Sequence, residues 1–174
     1  MGAATLSTDA VVHELLDDPS VKDRLLERWG GGLVADGTID RGRVGAIVFD
    51  STDELAWLES VLHPLVGGRV VEWRSGLAPT VELAVVEVPL LFETSMQDAF
   101  DATVAVVAAD ETRAERAGLR GTELLEPRSD RQLRQEEKAA RATHVLVNDG
   151  SLETLERKVA ALMERLTQAT PSST

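Results

Sequence analysis

Three short runs constrain this chain more than any other feature. Val81 to Val88, Thr103 to Val107 and His144 to Val147 are nearly continuous, largely β-branched apolar stretches separated by segments with helical spacing. Runs of this length and composition suit strands covered on both faces. Strands alternating with helices imply a parallel sheet in an α/β domain. With 174 residues, of which 43% are hydrophobic, the chain has the apolar supply of one globular domain spanning residues 1–174.

The helical segments are legible from their caps. Asp9 stands at the N-cap of an amphipathic stretch, and Pro19 separates it from a second run through Leu25, Leu26 and Trp29, which Gly30-Gly31-Gly32 ends. A turn-rich stretch from Ala35 to Thr38 leads to Asp40 and a short helix toward Val48 and Phe49. Ser51-Thr-Asp-Glu54 reads as a capping box ahead of Leu55, Leu58, Leu62 and Leu65, a pattern that Pro64 is expected to kink. A last helix starts at Ser151, and the tail over 167–174 is expected to fray.

Composition narrows the chemistry. No stretch approaches eighteen uninterrupted apolar residues, and the first nine have neither a basic start nor an apolar core. No membrane span or secretion signal is therefore expected, and the expected location is the cytoplasm. Zero cysteines exclude thiolate chemistry, and His13, His63 and His144 are too scattered for a metal cluster. A net charge of -12 argues against nucleic acid as a partner, because that binding needs a broad cationic face. The stretch from Arg113 to Arg141 runs against this balance, with eight basic and six acidic residues. It is either an ordinary solvated helix or a place where a small anion such as a nucleotide phosphate is met.

Several strings, in order, resemble the dephospho-coenzyme A kinase family over nearly the whole chain. Gly2-Ala-Ala-Thr-Leu-Ser-Thr-Asp9 is similar to the family's second strand, which ends in Asp-x-Asp; Asp9 matches the last aspartate, and Ser7 replaces the first. Asp36-Gly-Thr-Ile-Asp-Arg41, Ile47-Val-Phe49 and Leu62-His-Pro-Leu65 match further signatures, and Val88-Pro-Leu-Leu-Phe-Glu93 is the most specific string. Arg116 and Arg120 fall at the family's paired arginines, Arg128 with Gln132 and Lys138 match the lid helix, and Asn148-Asp-Gly150 matches the strand-end motif near the adenine.

The resemblance implies a P-loop-kinase-like parallel sheet flanked by helices. It further implies a helical acceptor-binding part over about 9–76 and a lid over about 116–141. It also implies ATP-dependent phosphorylation of the ribose 3'-hydroxyl of dephospho-CoA, with ATP and Mg as cofactors and no residue of this chain assigned to metal. The alternative is a non-catalytic relative that binds CoA or a nucleotide. Phosphoryl transfer to an alcohol needs an acceptor for the hydroxyl proton and positive charge over the migrating group. Asp9 suits the first task, or else is a plain helix cap. Arg128, with Arg116 and Arg120, suits the second, or else these are surface arginines. His63, Leu91 and Phe92 are expected on the substrate side, with a structural histidine and core packing as the other readings. Asn148 is expected at the adenine or simply in the turn.

One departure is large. The 174 residues contain no Gly-x-x-x-x-Gly-Lys-Ser/Thr, and Lys22, Lys138 and Lys158 all lack its context. By the resemblance the chain starts at the family's second strand, so the first strand and the phosphate loop are expected to be absent. That first strand is central, between the strands matched by Val81 to Val88 and Thr103 to Val107. A wrongly chosen start or an incomplete fragment is the expected explanation, because exposed rows of backbone groups in a dry core are costly. Residues 1–174 alone are expected to melt early and to show no ATP-dependent kinase activity. The same chain extended by an in-frame upstream strand, loop and helix is expected to fold cooperatively and to phosphorylate dephospho-CoA. Robust turnover by the 174-residue chain would overturn this expectation.

Overall fold

In the computed structural model, which describes residues 2–120 and 132–169, the chain divides after Val88 into two units. The first opens with strand β1 (Ala4–Ser7), which runs directly into helix α1 (Thr8–Leu16). Helix α2 (Pro19–Trp29) follows, with Pro19 at its first position and the Asp18 carboxylate accepting from the Ser20 amide at 2.9 Å. Proline is favoured there because it has no N–H to leave unpaired and its φ is already helical. Gly30 ends α2 at φ 82°, a conformation that a Cβ would penalise.

Strands β2 (Val34–Ala35) and β3 (Thr38–Ile39) form an antiparallel hairpin around Asp36 and Gly37, both at positive φ (50° and 83°). An Asp-Gly pair is a strong signal for such a turn, so the stretch expected only as turn-rich is a small hairpin. Helix α3 (Arg41–Asp50) is capped by Asp40, whose Oδ1 accepts from the Gly42 and Arg43 amides.

Helix α4 (Thr52–Ser75) runs unbroken through Pro64. Ser60, whose carbonyl loses its helical donor to the proline ring, is exposed, as is Pro64, so water can take that place. Only half of the expected capping box forms at its start. Ser51 Oγ accepts the Glu54 amide at 3.3 Å, but the Glu54 side chain turns to α2 instead. There it takes both arms of Arg28 at 3.0 Å and the Trp29 indole N–H at 2.7 Å. The Arg28 and Trp29 donors hold its carboxyl below the usual carboxylate range. Trp29 meets Trp57 edge to face at 5.0 Å, with the Arg28 guanidinium 5.2 Å from the Trp57 ring. Strand β4 (Ala84–Glu87) closes the unit by pairing in parallel with β1, Ser7 opposite Glu87.

The core lies among these helices. Val21 and Leu25 are 1% and 0% exposed, with Val11, Leu15, Leu16, Leu33, Ile39, Val44, Leu58 and Leu62 around them.

The second unit holds strand β5 (Val104–Val107), helix α5 (Asp110–Arg120), helix α6 (Gln135–Arg141), strand β6 (His144–Val147) and helix α7 (Leu152–Ala169). Strands β5 and β6 pair in parallel, Val104 opposite His144 and Val107 opposite Val147. Ser151 caps α7 by accepting the Thr154 amide. The helix continues to Ala169; residues 170–174, most of the tail expected to fray, lie outside the described residues.

The parallel α/β reading holds, but the sheet is not continuous. Among the described residues β4 pairs only with β1, and β5 only with β6. Strands β4 and β5 are also shorter than their apolar runs, and the strands are not buried on both faces. Val85, Val104, Val106, Val145 and Val147 are exposed, and among the described residues only Phe92, Ala105 and Leu146 of the second unit's apolar residues are buried. A two-stranded sheet leaves one edge of each strand open and has too little width to be covered on both sides.

The uneven core sets a stability contrast. Leu25→Ala is expected to lower unfolding free energy by about 2–5 kcal/mol, the usual cost of a cavity at a fully enclosed leucine. Val106→Thr, at a side chain already 60% exposed, is expected to stay within about 0.5 kcal/mol of wild type in the same denaturant titration. Equal losses would contradict the placement of the core.

Candidate functional site

Ligands of open α/β sheets bind beyond the carboxyl ends of parallel strands, and most of the residues with chemistry stand there. Asp9 follows β1 by two residues. The N-cap position belongs to Ser7, in extended conformation (φ -103°, ψ 124°), and not to Asp9, which lies in the first helical turn of α1. The plain-cap reading of Asp9 is therefore corrected: its carboxylate is exposed and makes no hydrogen bond or ion pair among the described residues. The same crossing is pinned by Thr8, whose Oγ1 donates to the Glu87 carbonyl at 2.9 Å and so ties the ends of β1 and β4 together.

His63 lies on α4 in the same unit, exposed and without a hydrogen bond among the described residues. Leu91 and Phe92 belong to the second unit, in a turn where Thr94 N–H donates to the Leu90 carbonyl and Met96 N–H to that of Leu91. Leu91 is half-buried and Phe92 is buried, which makes Phe92 part of that unit's small core.

The remaining residues converge on the ends of β5 and β6. Asn148 N–H donates to the Val107 carbonyl at 2.7 Å and extends the ladder by one step. Arg116, on α5, donates through Nη1 to the Asn148 carbonyl at 2.8 Å and through Nη2 to the Gly150 carbonyl at 3.2 Å. Two of the anticipated residues are thus brought into contact. Arg120 closes α5, its side chain lying outside the described residues, and Arg128 lies outside them entirely, as does much of the stretch expected as a lid.

Three side chains that sequence reasoning gave no role do much of the bonding. Gln135 Nε2 donates to the Ala108 carbonyl at 2.8 Å while its Oε1 accepts the Ala108 amide at 3.2 Å, a two-point cap on the end of β5. Asp149 Oδ1 accepts the Ala109 amide at 2.6 Å. Glu93, only 9% exposed, accepts from the Leu133 amide at 3.0 Å and from Lys138 Nζ at 2.9 Å; Lys138 also donates to the Pro89 carbonyl. Burial alone would push the Glu93 carboxyl up, but the Lys138 and Leu133 bonds outweigh it and hold the group below the ordinary range. The available signal was Glu93 itself, which closes the most specific string of the sequence.

Because the folded Glu93 carboxyl is more acidic than a free one, its bonds stabilise fully above the unfolded value of about 4.3 and are lost as pH falls through the lower folded value. Glu93→Gln is therefore expected to melt earlier than wild type at pH 7. The gap should close in acid once both side chains are neutral. A gap independent of pH would show that the charge on Glu93 contributes nothing.

Comparison with known proteins identifies the family. A family model described as dephospho-CoA kinase matches residues 1–154. A dephospho-CoA kinase from Deinococcus radiodurans is 37% identical over 169 residues, spanning 95% of this chain and 81% of that kinase. One from Thermus thermophilus is 37% identical over 171 residues, with the same 95% and 81% coverage. Among solved structures, the crystal structure of TT1252 from Thermus thermophilus matches with a TM-score of 0.77 at 36% identity, over 95% of this chain and 85% of that one. A dephospho-CoA kinase from Campylobacter jejuni shares the fold, with a TM-score of 0.70 at 22% identity over 96% of this chain and 86% of its own. The fold is accordingly P-loop-kinase-like, and the chain belongs to the dephospho-CoA kinase family of phosphotransferases.

Proposed function

We propose that this chain takes part in the ATP-dependent phosphorylation of the ribose 3'-hydroxyl of dephospho-CoA, the step that yields coenzyme A, in the cytoplasm. Family membership over most of the chain supports the reaction. The observation that carries the residue assignment is Asp9: an exposed carboxylate with no structural partner among the described residues, in the first turn after a parallel strand.

In this reading the acceptor hydroxyl approaches Asp9, its proton passes to the carboxylate, and its oxygen attacks the terminal phosphorus of ATP as the bond to ADP breaks. Arg120 and Arg128 supply positive charge over the transferring group. His63, in a helical acceptor-binding part over about 9–76, and, outside that part, Leu91 and Phe92 serve the acceptor nucleotide, and Asn148 serves the adenine of ATP. Among the described residues no group of three acidic or histidine side chains is placed to hold a metal ion. Magnesium of the kinase reaction is held largely by substrate phosphates and water; no residue of this chain is assigned to it and no step is routed through it. No helix among the described residues is long and apolar enough to cross a membrane.

The test is Asp9→Asn in a form of the protein carrying a Gly-x-x-x-x-Gly-Lys-Ser/Thr loop ahead of β1. Turnover is expected to fall by about a hundredfold or more, the scale of a lost general base, while the dissociation constant for dephospho-CoA stays within about twofold. Near-normal turnover would remove Asp9 from the mechanism. Tight dephospho-CoA binding without any turnover in the parent protein would favour the non-catalytic binding role.

A further inference from the structure

The turn after β6 is held more firmly than its length requires. Asn148, Asp149 and Gly150 connect the strand to the Ser151 cap of α7, and two ties running in opposite directions fasten them to α5. The Ala109 amide, just before α5, donates to Asp149 Oδ1 at 2.6 Å. From about two turns further along, Arg116 reaches back with Nη1 on the Asn148 carbonyl at 2.8 Å and Nη2 on the Gly150 carbonyl at 3.2 Å. Gly150 is itself close-packed, since a Cβ there would lie 3.2 Å from Thr154 Cγ2. On the neighbouring strand Gln135 caps both polar groups of Ala108. With the backbone so occupied, the Asn148 side-chain amide is half-buried and makes no hydrogen bond among the described residues.

We propose that Arg116 is a positioning residue for nucleobase recognition: its guanidinium fork fixes the Asn148-Asp149-Gly150 turn so that the Asn148 amide faces the adenine. This rests on the reading above that Asn148 serves the adenine. It departs from the phosphate-binding role expected of Arg116, because two of its N–H groups are committed to carbonyls two residues apart. A guanidinium spans two such acceptors as a rigid fork, whereas an ammonium on a flexible stem does not. A carboxamide held in one orientation can donate to one edge atom of adenine and accept from its amino group, so a few tenths of an ångström at the turn decide whether both bonds form.

Adenosine separates the two roles because it has the base and no phosphate. Titration of residues 1–174 with adenosine and, separately, with ATP is compared for wild type, Arg116→Lys, Arg116→Ala, Asn148→Ala and the Arg116→Ala/Asn148→Ala double variant. Circular dichroism melts accompany each titration. The expected result is that both Arg116 variants weaken adenosine and ATP by the same factor, about tenfold for the loss of charge-assisted bonds to the turn. The double variant should lose little beyond Asn148→Ala, as coupled residues do.

Weakened ATP with unchanged adenosine, or full ATP affinity in Arg116→Lys, would make Arg116 a phosphate contact and overturn the proposal alone. Adenosine affinity unchanged in Asn148→Ala, or no adenosine binding by the wild type, would overturn the adenine placement and the proposal with it. Should Arg116→Ala fail to fold, Arg116→Lys, which keeps charge and stem, decides by the same comparison.

Discussion

A parallel strand that ends leaves its last amide and carbonyl groups to be satisfied by something other than the sheet, and most of what this molecule can do chemically follows from how it meets that demand. Thr8 takes the Glu87 carbonyl, Lys138 that of Pro89, Gln135 both groups of Ala108, Asp149 the Ala109 amide, and Arg116 the carbonyls of Asn148 and Gly150. Lys158 returns from α7 to the Val147 carbonyl at 2.7 Å. Each tie orders a short connection that apolar packing does not reach. The same connections carry Asp9 and Asn148, which therefore stand on backbone fixed by side-chain hydrogen bonds.

The two units meet their conformational entropy by different means. In the first, ten enclosed apolar side chains from α1 to α4 form one cluster, reinforced by Glu54 between Arg28 and the Trp29 indole. In the second, three apolar side chains are buried among the described residues. Paired threonines there bridge the β5 and β6 starts, the Thr103 amide donating to Thr143 Oγ1 at 2.6 Å and the Thr143 amide to Thr103 Oγ1 at 3.0 Å. Hydrogen bonds of this kind add only about 1 kcal/mol each, but leaving one partner buried and unmatched costs more. Glu93 Oε2, enclosed and without a partner among the described residues, carries such a cost already.

Legibility in the sequence followed the range of the interaction. Elements set by local rules were readable: α2 from Pro19 and Gly30, α3 from Asp40, α7 from Ser151, and the β6 bounds from the apolar run itself. Family strings singled out Asp9, Arg116 and Asn148, of which Arg116 and Asn148 are in contact. Contacts between side chains and distant backbone left no local mark. Ser7 displaced Asp9 as the cap because β1 runs straight into α1, a matter of chain direction that residue type does not encode. Glu54 sat in a well-formed capping-box string and was drawn away by Arg28 and Trp29, twenty-five or more residues distant. Gln135 and Asp149 are ordinary polar residues until the ends of two strands are brought beside them. The burial expected of the valine runs failed for a related reason: periodicity reports what a strand can cover, and coverage depends on how many strands lie beside it.

This division bears on where substitution should register as function and where as stability. A side chain such as Leu25 supports everything in its unit and nothing in particular, so its loss is felt as a lower melting point with the chemistry intact. A tie such as the Arg116 fork supports one turn. The turn it orders is the one that carries Asn148. Ordering a few residues before a ligand arrives removes that entropic cost from binding, and a small structural interaction thereby becomes a measurable difference in affinity. Polar ties at strand ends therefore order the turns of this fold, while its apolar core supplies the rigidity that makes their geometry count.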